Sequence, residues 1–285
     1  MRTNSDILTP WVILSIIFII MGMLVIIIFA LYDPFNLLSE GFKDIDIPSK
    51  YGTFIGGIVG SFFSLAGIFL LIETLKKHNF QFQFQHFENN FFEFLRIHRD
   101  HINNSKSLYI YLKDGSPIYW QGKKVFVKII GEFSLIKDEV KKLNKKNLLK
   151  EKDIDNLSIN ILFFGVDNYG KTKIMEKLGS SIDKYSLETI IDYFNELRKD
   201  NNRRYYDGHQ IILGEYYQHF NSILKYVDQQ PKPIDKFKKD FIKLFKDHLT
   251  NYEMDLLNHV YKSDLCNELF KDSKHLLKQY QFIKE

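Results

Sequence analysis

Cysteine is almost missing from this chain: Cys266 is the only one in 285 residues. One thiol excludes an internal disulfide and any CxxC metal knuckle, and it suits a reducing compartment. The nine histidines include no H-E-x-x-H, and no Asp or Glu stands at ligand spacing from His98 and His101. Neither a metal nor a cofactor is therefore expected. No Ser/His/Asp arrangement, internal repeat or low-complexity linker occurs. Charge is missing from two long stretches, and there the chain says most.

Residues 11–31 (WVILSIIFIIMGMLVIIIFAL) hold no charge, and neither do residues 53–72 (TFIGGIVGSFFSLAGIFLLI). At about 1.5 Å per residue, a helix of either length just crosses a hydrocarbon core about 30 Å thick. A cleaved signal peptide has a shorter apolar region and a small-residue cleavage site. Here Tyr32-Asp33-Pro34-Phe35 follows instead, so a retained helix is expected. The reading is a transmembrane hairpin over residues 1–75, with spans at about 11–31 and 53–75 and an external loop at 32–50. That loop has Lys43 and Lys50 against Asp33, Glu40, Asp44 and Asp46, while Lys76 and Lys77 follow the second span. Positive flanks stay inside, which puts both termini in the cytoplasm and the short acidic loop outside.

Within the second span Gly52, Gly56, Gly60 and Ser64 recur every four residues, with Gly67 beyond. Small side chains at that spacing form a ridge on which another backbone can lie closely. The seam it offers is either to the first span or to a second copy of the chain.

Residues 76–285 carry 36 Lys and Arg against 29 Asp and Glu. A basic domain on a membrane anchor is drawn to anionic headgroups. Nucleic acid is a second candidate partner, although Lys141, Lys142, Lys145, Lys146, Lys150 and Lys152 read as a solvated helix face. The pattern is helical. Phe80, Phe84, Phe87, Phe91, Phe94 and His98 step by three or four through about 25 residues without Gly or Pro, which predicts a helix extending the second span. Residues 109–120 around Asp114-Gly115 are the one β-hairpin candidate, and residues 141–157 read as charged and partly loop. Helices are expected over 181–197, 210–227 and 265–283, and Thr250-Asn251-Tyr252-Glu253 has the form of a capping box. The fold class is mainly α: a two-helix hairpin, then a helical cytoplasmic domain over 76–285.

Two motifs suggest chemistry. Gly165-Val-Asp-Asn-Tyr-Gly170-Lys171-Thr172 matches G-x-x-x-x-G-K-[ST], in which backbone amides cradle phosphates, lysine reaches them and the hydroxyl holds magnesium. That use needs a strand before the loop and a parallel sheet. Arginine and histidine in the spacing R-x4-H occur twice, as Arg96/His101 and Arg204/His209. Helical RNases of the HEPN type use such a pair, the histidine for proton transfer and the arginine for the phosphate.

Several blocks in order resemble the phage abortive infection family of AbiC-like, two-span bacterial membrane proteins. They are the glycine-rich second span, FENNFFEFLRIHRDHI (87–102), Gly122 to Phe126, the FFGV turn at 163–166, GEYYQHFNSILKYV (214–227) and His248 to Leu257. The resemblance implies defence in which the infected cell dies or stops growing before progeny mature. It brings no established catalytic residues. The family pattern has no Gly-Lys-Thr after its FFG turn, which makes the phosphate-loop match incidental. Together with the small-residue ridge and a helical domain that shows no credible active site, the expected function is a membrane-anchored, non-enzymatic effector or sensor that assembles through its spans and answers a phage-derived or host trigger protein. The alternatives are a tethered HEPN-like RNase and a nucleotide-binding protein.

Overall fold

A computed structural model describes residues 9–32, 46–111, 117–144, 149–200 and 206–283. The chain divides into two compact units, Met1–Phe87 and Glu88–Glu285.

The first unit pairs α1 (Pro10–Tyr32) with the first part of α2 (Asp46–Asn104). The expected domain boundary at residue 75 falls inside α2, because no Gly, Pro or cap interrupts the helix after Ile72. Val12 and Ile19 on α1, and Ile58 and Ile72 on α2, are half-buried at the margins of the contact; along its centre on α1 run Trp11, Ser15, Phe18, Gly22, Val25 and Phe29. On α2 the central positions are Ile55, Val59, Phe62, Ala66, Phe69 and Glu73. Both series step alternately by four and three, the spacing that keeps one seam facing a partner helix. Rings interleave along it: Phe18 stands 6.1 Å from Phe62 and 5.5 Å from Phe69, and Phe29 stands 5.4 Å from Phe54. A Cβ on Gly22 would lie 3.4 Å from the Phe62 Cβ, so Gly22 is where the two backbones come close. Outside this seam the helices are bare. Only 11% of either apolar window is buried, which distinguishes them from core helices of a soluble domain.

The second unit is helical, with one small sheet among the described residues. α2 contributes Phe91, Leu95, His98 and Ile102 to its core. Strands β1 (Lys106–Tyr111) and β2 (Pro117–Gln121) then pair antiparallel, Lys106 opposite Gln121 and Ser107 opposite Trp120. That is the expected hairpin; residues 112–116, including Asp114-Gly115, lie outside the described residues. Next come α3 (Lys124–Leu143), α4 (Glu151–Phe164), α5 (Asn168–Leu178), α6 (Lys184–Asp200) and α7 (Gln210–Asp228). A 3-10 turn (Ile234–Phe237) leads to α8 (Lys238–His248) and α9 (Asn251–Lys262).

α4 is the axis of this unit, touching α3, α5, α7 and α9. Every residue from Asn156 to Phe164 is buried, as expected of a helix packed on all sides. Ser158 Oγ donates to the Ile154 carbonyl within the helix (2.7 Å), and Asn156 Nδ2 donates across to Asp264 (2.7 Å). Residues 151–157, read from sequence as charged and partly loop, are the first turns of this helix. The charges there face outward: Lys137 and Lys141 reach Glu151 at 3.3 and 3.0 Å.

The capping box forms. The Thr250 amide donates to Glu253 Oε2 (2.7 Å), and the Glu253 amide donates to Thr250 Oγ1 (3.3 Å). Glu253 is also buried and accepts from the Tyr216 hydroxyl (3.1 Å), so the cap ties α9 to α7. The expected helix over 265–283 is two short ones, α10 (Leu265–Leu269) and α11 (Lys274–Gln279). They part at residues 270–273, where Phe270 and Ser273 are buried, and Phe282 is buried beyond the second.

Candidate functional site

The most constrained backbone in the second unit lies where the chain after α4 crosses the chain before α7. Gly165 and Gly208 both have positive φ, 77° and 83°. A Cβ on Gly165 would sit 2.7 Å from the Asp207 carbonyl carbon, and one on Gly208 would sit 2.6 Å from that of Phe164. Only glycine fits such a conformation and such an approach. The Val166 amide donates to the Tyr206 carbonyl (3.1 Å), and the His209 amide to Leu162 and Phe163 (3.0 Å each). Gly170 is held by the same crowding, since a Cβ there would lie 2.3 Å from the Gly165 carbonyl oxygen.

The phosphate-loop match therefore sits at a helix–turn–helix corner. The apolar run before it is the end of α4 rather than a strand, and the only sheet among the described residues is the antiparallel pair β1–β2. Asp167 caps α5, its Oδ1 accepting from the Gly170 amide (2.8 Å) and its carbonyl from the Lys171 amide (2.7 Å). Lys171 Nζ reaches Asp192 at 2.7 Å and Glu188 at 3.1 Å, and Thr172 Oγ1 donates to Asn168 (2.9 Å). Donors that a phosphate would require are engaged within the chain.

Beneath the crossing is a buried polar group. Glu132 lies on the apolar stripe of α3, with Ile129, Phe133 and Ile136, and its side chain is 1% exposed. Its Oε1 accepts from the Tyr206 amide (2.8 Å), and its Oε2 stands 2.9 Å from His209 Nε2. Lys128 Nζ is 3.9 Å from Oε2 and donates to Ser107 Oγ on β1 (2.9 Å). Burial alone would push the Glu132 carboxyl up. The charges of His209 and Lys128 and the hydrogen bonds from His209 and Tyr206 outweigh it and leave the group below its ordinary range. Burial pulls the Lys128 ammonium down, against the carboxylates of Glu132 and Asp207.

His209 also forms part of the wall of a cavity of about 440 Å³, with Lys106, Phe163, Tyr169 and Gln210 around it. A histidine held by a buried carboxylate at a cavity wall can accept or pass a proton. Glu132 escaped the sequence reading. The available signal was a charge among apolar residues at i, i+3, i+4 and i+7, which marks a paired buried group.

The other sequence candidates are dispersed. Arg96 is exposed and pairs with Glu93 (2.6 Å). His101 turns to α7, where its Nε2 lies 3.3 Å from Glu215. Five residues along a helix is about 140° of rotation, so the two point apart. Arg204 lies outside the described residues, and so do Lys145 and Lys146. Among the described residues no cluster of three or more His, Cys, Asp or Glu is arranged to hold a metal.

In the first unit Gly52, Gly56, Gly60, Ser64 and Gly67 are all exposed. A Cβ on any of these glycines would meet nothing within 4 Å among the described residues. The ridge is about 120° around α2 from the seam with α1, at about 100° per residue. It is thus not the surface on which α1 packs.

Residues 208–285 match the family model described as "Putative phage abortive infection protein", the family that the sequence resembles. The match begins at Gly208 and takes in His209 and helices α7 to α11. No curated protein and no solved structure matches the chain.

Proposed function

We propose that this chain is a membrane-anchored effector of phage defence by abortive infection. Its two apolar helices cross the bacterial inner membrane, and both termini lie in the cytoplasm. Copies assemble along Gly52, Gly56, Gly60, Ser64 and Gly67, and a phage-derived or host trigger protein engages the helical domain. Assembly then perturbs the membrane, without catalysis. The observation that carries this reading is the open ridge on a helix whose own hairpin partner packs elsewhere. The family match over 208–285 supplies the defence setting. Replacing Gly56 and Gly60 by leucine should abolish protection of infected cells while expression and membrane fractionation are unchanged. Retained protection overturns the assembly step.

A second reading, a tethered RNase of the HEPN type, is favoured by one observation: His209 is oriented by buried Glu132 at a cavity wall. In induced cells His209→Ala would then preserve total RNA that the unaltered protein degrades. RNA that stays intact with the unaltered protein removes the nuclease.

A further inference from the structure

The cavity beside His209 combines an acceptor with donors. The His209 side chain is 7% exposed, and its Nε2 faces Glu132. In the neutral imidazole, a Glu132 carboxylate facing Nε2 selects the tautomer with its proton on Nε2, and the second nitrogen, Nδ1, is then the acceptor. No hydrogen bond to Nδ1 occurs among the described residues, and the ring is part of the cavity wall. Around it stand donors. Lys106 Nζ comes from β1, where the ammonium has no carboxylate partner among the described residues. The amides of Gln210, Ile211 and Ile212 open α7 and have no acceptor within the helix. The two carboxylates that also line the space are already engaged: Asp207 accepts from Arg198 Nε (2.6 Å) and Asp167 from the Gly170 amide. Tyr169, 52% exposed, and Phe163 give the wall an aromatic face.

An acceptor nitrogen next to a cluster of anion-binding donors selects a ligand that carries both complements, a hydroxyl and an anionic group on neighbouring atoms. We propose that this cavity binds a ribose phosphate unit: Lys106 and the first-turn amides of α7 hold the phosphate, and His209 Nδ1, set by Glu132, accepts a hydrogen bond from the neighbouring hydroxyl. Glu132 is a positioning residue in this arrangement, since it acts on the ligand through the imidazole. The proposal shares its site with the nuclease reading but requires no cleavage.

The test uses the full chain, labelled with 15N-histidine and held in lipid nanodiscs. His209→Ala identifies the ring signals. The proposal expects His209 protonated at Nε2 and bare at Nδ1, and expects Glu132→Gln to mix the two tautomers. Adenosine 3′-monophosphate should shift the His209 signals and bind at least tenfold more tightly than its 2′-deoxy counterpart. Lys106→Ala should weaken both nucleotides and inorganic phosphate equally while leaving the tautomer unchanged. Equal affinity for the ribose and deoxyribose probes, or ribose binding with no shift at His209, overturns the proposal. Glu132→Gln unfolding the chain leaves the probe comparison in the unaltered protein to decide. Binding as expected, with RNA intact in cells, would sink the nuclease reading alone.

Discussion

At the scale of single residues, two side chains show what burial costs here. His98 is buried between Tyr216 and Phe245, with ring centroids at 4.9 and 5.6 Å, and neither ring nitrogen has a hydrogen-bond partner among the described residues. Burial, reinforced by the charges of His219 and His101, drives its pKa from an ordinary 6.5 down to about 3. The unfolded chain therefore takes up a proton near pH 6.5 that the folded chain refuses until about pH 3. Folding stability falls as pH drops through that window, by up to about 1.4 kcal/mol per pH unit. His98→Leu removes both this penalty and an unpartnered polar group, which typically costs about 1–3 kcal/mol. Thermal unfolding at pH 5 should show the leucine variant melting higher than the unaltered protein, and the difference should shrink toward pH 7.5. Gly208 is the opposite case. Gly208→Ala forces a side chain into positive φ and against the Phe164 backbone at 2.6 Å. Strain alone costs about 1–3 kcal/mol, so the denaturation midpoint should fall clearly.

At the scale of elements, caps and seams decide. Thr250→Ala removes one half of the capping box while Glu253 keeps its bond from Tyr216. The expected loss is about 1 kcal/mol, read as a shift of the urea midpoint with an unchanged slope. In the hairpin, Gly22 and Gly56 look alike in sequence but not in structure. Gly22→Leu drives a large side chain into Phe62 and Phe63, whereas Gly56→Leu meets open space within the chain. Gly22→Leu should therefore lower hairpin stability in detergent, and Gly56→Leu should leave it alone. At the α4–α5 corner, Lys171 holds only exposed carboxylates, worth about 0–1 kcal/mol. Lys171→Ala should retain full protection of infected cells, and loss of protection would revive a nucleotide at that corner.

At the scale of the whole molecule, the question is whether copies associate through the face that the hairpin leaves bare. Cys266 is buried with its thiol pKa pushed up by burial, so it reacts slowly. An added cysteine can thus report on contacts by itself. Gly56→Cys in native membranes should crosslink to a dimer. Leu65→Cys, exposed on the face of α2 turned away from the ridge, should remain monomeric under the same oxidant. Equal crosslinking at both positions would argue against a specific seam.

Much of this architecture is local, and local features are readable along a chain. The two charge-free stretches, the β1–β2 pair, the amphipathic α6 and α7 and the Thr250 box each depend on residues a few positions apart. The resemblance to a phage abortive infection family was likewise legible, and its match falls on residues 208–285. Other features required chain segments to meet. Glu132 and His209 are 77 residues apart, and nothing in the spacing of either names the other. Gly165 fits the phosphate-loop pattern for a steric reason that only the crossing at Asp207 and Gly208 supplies, and Gly170 because it lies against the Gly165 carbonyl. The glycine ridge was visible as a pattern, but its direction was not. A helix repeats every 3.6 residues, so composition determines that a small-residue face exists. Only the packing of Phe18 and Gly22 against Phe62 and Phe69 decided that this face points away from α1.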